Sequence, residues 1–315
     1  MSVQIFFVDF SADNSVRMTL AAPRQRPPAP FVCSCTSLED LDREIGAFLD
    51  RHGNPDLMGA AFSVCGWERN GAFEMPNHSY RIEREWIKTR LNVSRVHLVN
   101  DIVAAALAID RLDSAELTTV CAGQEDPDQP KALVALGRSL GTTTLTADEF
   151  GAAIALPCAG GHCDLPATTE REFAVVRYLA RKYNHVSRVR AVSTPGLAEV
   201  YAALHDADGQ PAPTAKPADI VAMARQGAPL AREALALVLG WLAATAADTA
   251  LATGARGGVF LGGSFFNLIG DLFDPAAFTA RFTDKGRLSE MLRATPVSIV
   301  TALDPEMIGL STLFD

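Results

Sequence analysis

Asn100 and Asp101 stand where an apolar run, Val96–Val99, gives way to the alanine-rich stretch Ile102–Ile109. The pattern reads as a strand followed directly by a helix. A carboxylate at such a junction is aimed out of the carboxyl end of a sheet, where open α/β folds hold ligands. There Asp101 can take a proton from a substrate hydroxyl, or it can cap the helix beginning at Ile102; the dipeptide suits both roles. Asn77-His78, within Met75-Pro-Asn-His-Ser-Tyr80, and Gly160-Gly161-His162 offer neutral donors and acceptors suited to sugar hydroxyls, and they equally suit turns. Gly257-Gly-Val-Phe-Leu-Gly-Gly263 is a strand ending in paired glycines, which let a backbone approach a ligand or simply turn. Cys158-Ala-Gly-Gly-His162-Cys163 brings three metal-binding side chains at irregular spacing. A structural zinc takes four, so no metal is assigned.

The elements that must position these residues alternate in type. Gln4–Phe10 is an apolar run of β-formers and Val16–Leu20 alternates strictly, with the turn-like Ser11-Ala-Asp-Asn14 between them, which predicts a hairpin. The prolines of Pro23–Pro30 make a loop. Ser37 is placed to cap a helix with Leu38, Leu41, Ile45, Phe48 and Leu49 on one face, ended by Gly53-Asn-Pro. Leu57–Val64 reads as a buried strand, and the acidic, turn-rich Gln124–Lys131 as a surface excursion. Ala132–Leu136 and Thr142–Thr146 flank a glycine-containing turn, helical patterns cover Thr169–Tyr183, Leu197–His205, Ala218–Arg225 and Ala231–Thr253, and Gly258–Leu261 is a final strand. A hairpin followed by alternating strands and helices indicates an α/β protein with mixed sheets. No internal repeat is visible in the sequence.

The bulk properties narrow the function classes. The chain has 315 residues, 48% apolar and 21% charged, ordinary for a globular protein with a sizeable core. A net charge of -9 argues against a general nucleic-acid binder. No basic segment leads into an apolar stretch at the N-terminus, so no secretory signal is expected. The longest apolar tract, Ala234–Thr253, is interrupted by Gly240, Thr245 and Asp248 and reads as a buried helix, with no membrane association expected. Six scattered cysteines fit reduced thiols in the cytoplasm better than a disulfide framework.

Several blocks occur in a telling order: Met75-Pro-Asn-His-Ser, Val99-Asn-Asp-Ile-Val-Ala-Ala, Leu156-Pro-Cys-Ala-Gly-Gly-His-Cys-Asp164, His185-Val-Ser, Ser193-Thr-Pro-Gly-Leu197, Gly257–Gly263 and Phe282-Thr-Asp-Lys-Gly-Arg287. From Ala60 onward the chain resembles the bacterial glucokinases, members of the actin-like (ribonuclease H-like) superfamily of sugar kinases. The resemblance implies a two-lobed α/β fold with mixed sheets flanked by helices. Residues 1–112 would form a small lobe, 113–297 a large lobe, and 298–315 a segment returning to the small lobe. It implies ATP and magnesium as cofactors and Asp101 as the base acting on the 6-hydroxyl of the sugar. Asn77, Asn100 and His162 match sugar-contacting positions, and Gly262 and Gly263 match glycines beside the adenosine. A homodimer is expected by the same resemblance.

The ligand-facing motifs depart from the family's pattern. Its first phosphate loop, Asp-x-Gly-Gly-Thr-Asn, is here Asp9-Phe-Ser11-Ala12-Asp13-Asn14. Both glycines have gained side chains and the threonine has become an acid, which repels a triphosphate by about 1 kcal/mol in a well-solvated site or, alternatively, helps to hold a metal. The second loop, Gly-Thr-Gly-Leu-Gly, is Gly137-Arg138-Ser139-Leu140-Gly141, where Arg138 can block the nucleotide or pair with its phosphates. Thr142 follows with a hydroxyl available to the loop's ligand. Two glutamates that hydrogen-bond glucose in the family fall on Ala159 and Val189. Each such loss costs on the order of 1.5–3 kcal/mol, so restoring both should raise glucose affinity. The final Met307–Asp315 stops early relative to the family, trimming the element that packs back on the first lobe. Two functions follow: ATP-dependent phosphorylation of glucose or a related hexose, or an impaired pseudokinase acting as a sugar sensor or interaction protein.

Overall fold

The first apolar run, β1 (Gln4–Phe10), is buried on both faces. Phe6, Val8 and Phe10 enter one apolar cluster, and Ile5 and Phe7 enter another on the opposite side. Alternate side chains of a strand point to opposite faces, so such a run belongs at the centre of a sheet. The structure is a computed structural model, which describes residues 3–10, 15–75, 80–124 and 126–315. The chain divides into two compact units, Met1–Asp113 with Ala302–Asp315, and Ser114–Thr301.

In the first unit β1 pairs antiparallel with β2 (Ser15–Ala21), which pairs antiparallel with β3 (Phe31–Ser34). On its other side β1 runs parallel to β4 (Leu57–Val64), and β4 runs parallel to β8 (Arg95–Asn100). The helix α1 (Leu38–Arg51) joins β3 to β4, capped by the Ser37 hydroxyl, which accepts from the Asp40 amide at 3.1 Å. It buries Leu41, Ile45, Phe48 and Leu49, the face its spacing predicts. Between β4 and β8 come a small antiparallel sheet, β5 (Trp67–Arg69), β6 (Ala72–Glu74) and β7 (Arg81–Glu83), and α2 (Arg84–Leu91). β8 leads straight into α3 (Asp101–Leu107).

The second unit repeats the arrangement. β10 (Lys131–Leu136), β11 (Leu140–Ala147) and β12 (Ala153–Cys158) form an antiparallel meander, and β10 runs parallel to β13 (Val259–Gly262), which runs parallel to β14 (Val297–Val300). Strand β9 (Leu117–Cys121) adds antiparallel to β14. Each unit therefore holds a meander whose first strand continues into two parallel strands, a duplication that the sequence does not display. Helices α4 (Glu170–Ala180), α5 (Thr194–Ala207), α6 (Pro217–Arg225), α7 (Pro229–Thr253), α8 (Phe265–Ile269), α9 (Pro275–Thr283) and α10 (Ser289–Ala294) complete this unit. α7 is long and apolar enough to cross a membrane by length and composition, but Trp241, Leu242, Ala243 and Ala246 bury it in the unit's core.

The chain then returns to the first unit as α11 (Pro305–Thr312). Though short, this helix packs Met307 and Leu310 into the cluster containing Ile5, Phe7 and Ala104, joined by Phe314. Gly309 permits the contact, because a Cβ there would lie 1.7 Å from the Ala104 carbonyl oxygen.

Candidate functional site

In the first unit the carboxyl ends of the three parallel strands line up in register. Asp9 of β1 stands beside Ser63 of β4, and Ser63 beside Val99 of β8. Asp101 follows β8 at the first position of α3, where the helix dipole favours a negative charge. The Asn100 side chain is the cap, accepting from the Ile102 amide at 3.0 Å and donating to the Gly66 carbonyl at 2.6 Å. Asp101 Oδ1 accepts from the same Ile102 amide at 2.9 Å, so capping is shared. Burial, and then the charge of neighbouring Asp9, push the Asp101 carboxyl from near 3.8 up to about 6, against hydrogen bonds from the Ile102 amide and Cys65.

Asp9 is fully buried. Its register partner across the hairpin is Arg17, whose Nε and Nη2 both donate to Asp9 Oδ2, at 3.0 and 2.7 Å. The same guanidinium reaches α11, donating from Nη2 to Glu306 Oε2 at 2.9 Å and from Nη1 to Asp304 Oδ1. One arginine thus holds three carboxylates. Burial pushes Asp9 above its ordinary value despite Arg17, and burial with the Asp9 charge pushes Glu306 up to about 7. Burial opposes the charge on Arg17, but Asp9, Glu306 and Asp304 outweigh it and raise its affinity for the proton. Asp9 Oδ1 and Ser63 Oγ are buried and neither completes a hydrogen bond of ordinary geometry, although Ser63 lies near enough to favour the carboxylate. A buried carboxylate oxygen with spare lone pairs suits a hard cation such as magnesium. The match to a cation is one of donor chemistry alone: among the described residues, no group of three or more His, Cys, Asp or Glu side chains is placed to hold a metal ion.

Arg17, Asp304, Glu306 and Ser63 escape a reading by motif. Arg17 occupies the polar position between buried Val16 and Met18, and hairpin pairing sets it opposite Asp9. Ser11, Ala12, Asp13 and Asn14 of the first loop lie outside the described residues, as does Asn77.

In the second unit Gly137, Arg138 and Ser139 form the turn between β10 and β11, with Arg138 and Ser139 exposed. Gly137 N–H donates to Ser139 O at 2.9 Å, closing the turn, and Gly141 lies on β11. This turn occupies the same place in its meander as the segment 11–14 does between β1 and β2. Thr142 is buried and its hydroxyl accepts from the Gly160 amide at 3.0 Å, so it helps to hold the next turn. At the end of β13 the two glycines differ. Gly263 has φ +98 and a Cβ would fall 2.3 Å from Leu136 O, whereas a Cβ on Gly262 would meet Leu133 at an ordinary 3.6 Å.

His162 ends a short turn, Gly160–His162, with its side chain exposed beside exposed Ala159. Gly161 is required there, because a Cβ would lie 2.1 Å from Leu140 O. Val189 sits in the turn Arg188–Arg190. Backbone bonds Leu165 N to Val186 O and Arg188 N to Cys163 O, each 2.9 Å, bring these two turns together. Val189 packs against the apolar core of the unit. Its neighbour Arg188 donates to Asp248 at 2.7 Å, and Lys285 meets the other oxygen of Asp248 at 2.6 Å.

A family model described as Glucokinase matches residues 15–315, beginning just past the altered first loop. A glucokinase of Aromatoleum aromaticum is 36% identical over 258 residues, 81% of this chain and 77% of its own. Among solved structures, a glucokinase from an Antarctic psychrotroph superposes with a TM-score of 0.88 at 25% identity, covering 100% of this chain and 99% of that one. A ROK family glucokinase from Streptomyces griseus, in complex with glucose and AMPPNP, gives a TM-score of 0.65 at 16% identity over 99% of both chains, a likeness of fold. The fold is that of the actin-like sugar kinases, and the chain belongs to the glucokinase family.

Proposed function

We propose that this protein transfers the terminal phosphoryl group of ATP to the 6-hydroxyl of a hexose, with Asp101 as general base. The observation that carries the reading is the Asp101 carboxyl at the carboxyl end of the parallel strands, pushed up to about 6 by burial and by Asp9. Such a group is ionised near pH 7 yet basic enough to accept a hydroxyl proton. The family membership and the glucose and AMPPNP held by the Streptomyces griseus protein support a sugar and ATP as ligands.

Magnesium-bound ATP, when present, supplies the phosphoryl group and offsets its developing charge. Among this chain's residues, Asp9 would hold the magnesium through Oδ1 while Arg17 keeps its other oxygen charged. In the second unit the Gly137–Gly141 turn with Gly262 and Gly263 would hold the nucleotide. His162 would contact the sugar, as would Asn100 through whatever donor capacity its bond to Gly66 leaves. The losses at Ala159 and Val189 favour weak binding of glucose or selection of another hexose.

A second reading, a sugar-binding relative without turnover, is favoured by Val189, whose partly buried side chain packs against the core. Release of ADP across a panel of hexoses and amino-hexoses separates the two. The kinase reading expects sugar-dependent turnover that Asp101→Asn lowers by roughly 10²–10⁴-fold. The rate should fall as pH drops through about 6, where Asp101 takes up its proton. Sugar binding by calorimetry with no turnover above Asp101→Asn would overturn it in favour of the second reading.

A further inference from the structure

Outside the candidate site, two thiols of the first unit face each other. Cys33 lies in the outermost strand of its sheet, β3, and is partly exposed; Cys35 lies just past the end of that strand and is fully buried. Their sulfurs are 3.9 Å apart and share a hydrogen bond, and Cys33 Sγ also lies 3.6 Å from Val16 O. The remaining thiols are placed differently: Cys65 is partly buried beside Asp101, Cys121 is buried against the Thr279 hydroxyl, and Cys158 and Cys163 are exposed in the second unit.

We propose that Cys33 and Cys35 form a reversible thiol–disulfide site that reacts with small disulfides, Cys33 attacking and Cys35 resolving. The Cys33 thiolate attacks one sulfur of the small disulfide, making a mixed disulfide and expelling one thiolate. The Cys35 thiolate then attacks Cys33 Sγ, closes the intramolecular bond and expels the second thiolate. The two protons lost by the cysteines end on the two small thiols, so the protein is oxidised by two electrons and the small disulfide is reduced by two. Excess thiol reverses both steps.

Three features divide the roles. Access falls to Cys33, on an outer strand, while Cys35 sits in the core at a distance that needs only a short movement to bond. The hydrogen bond from Cys35 first of all, helped by the Arg51 charge and opposed by burial and Glu44, lowers the Cys33 pKa below its ordinary value. The same bond and burial raise Cys35, which keeps it from competing as the first nucleophile. Only one residue separates the cysteines, so the loop closed is too short to constrain the unfolded chain much. Such a bond suits a response to redox poise better than a structural staple. Ser37, the cap of α1, follows two residues after Cys35, and the Tyr80 hydroxyl lies 3.5 Å from Cys35 O.

The test is peptide mapping of the full-length reduced protein after incubation with graded ratios of oxidised to reduced glutathione. The expected result is that the peptide containing Cys33 and Cys35 becomes about 2 Da lighter. Cys35→Ser should instead accumulate glutathione on Cys33, removable by excess thiol, and Cys35→Ala repeats the measurement if the serine is not tolerated in the core. Glutathione appearing on Cys158 or Cys163 while that peptide keeps its reduced mass would overturn the proposal. So would a mixed disulfide on wild-type Cys33 that never closes. The mapping reads mass, so its outcome is independent of whether the protein turns over sugar.

Discussion

Replacing Arg17 by methionine keeps the length and apolar stem of the side chain and removes its charge. Four hydrogen bonds disappear, two to Asp9, one to Glu306 and one to Asp304. Asp9 is left fully buried without a countercharge, and breaking a buried pair from one side costs roughly 3–5 kcal/mol. The loss should concentrate in the first unit, because Arg17 ties β2 to β1 and to the start of α11. Hydrogen exchange read by mass spectrometry is the assay: at pH 8, peptides covering 4–10 and 305–312 should exchange roughly 10²–10⁴-fold faster, after correction for intrinsic rates. Peptides of the second unit should be unchanged. The pH dependence follows from Asp9 and Glu306, whose folded carboxyls lie above their ordinary values. A carboxyl raised in the folded state contributes most stability when protonated and loses it as pH rises through the folded pKa. Removing Arg17 raises both further. The gap between wild type and variant should therefore be smaller at pH 5 than at pH 8, widening as pH rises through about 7, where Glu306 ionises in the wild type. Protection within about threefold of wild type at pH 8, or the same gap at both pH values, would refute the view of Arg17 as a buried charge clamp.

Other perturbations test neighbouring parts of the argument. Glu306 rises from near 4.5 to about 7, roughly 3 kcal/mol of unfavourable linkage at pH 8; Glu306→Gln should flatten the fall in first-unit stability between pH 5 and 8, measured by denaturant titration. Gly309→Ala puts a Cβ 1.7 Å from Ala104 O and should cost about 1–3 kcal/mol or more, seen as lost protection of 305–312 alone. Ala159→Glu adds an acid at an exposed position and should leave melting within about 0.5 kcal/mol of wild type. Val189→Glu places a charge where valine packs on the core and should destabilise by about 1–3 kcal/mol; calorimetric glucose titration of each variant then shows which lost acid matters for affinity.

Much of the frame was legible in the sequence because hydrophobic period is a local property. The hairpin of β1 and β2, the Ser37-capped helix and the strand-to-helix junction at Asp101 each follow from residues a few positions apart. Short strands such as β5, β6, β7 and β14 were not legible, since three or four residues carry too little pattern to separate a strand from a loop. The duplicated meander was hidden for a different reason: pairing order is set by contacts between distant segments, and the two units fill equivalent strands with different residues. Arg17 belongs to the same class, because its carboxylate partners Asp304 and Glu306 arrive from the far end of the chain.

The altered positions show most plainly what a string of residues leaves out. Ala159 and Val189 look alike as two lost glutamates. In the folded chain Ala159 stands exposed beside His162, where an acid can be added without disturbing a neighbour, whereas Val189 is partly buried against the core of its unit. At Ala159 an acid would be an addition, and at Val189 it would displace packing. Redirected specificity is therefore to be sought first at Ala159, where space is open, and inherited chemistry at Asp101, where burial and Asp9 still tune a carboxyl toward proton transfer.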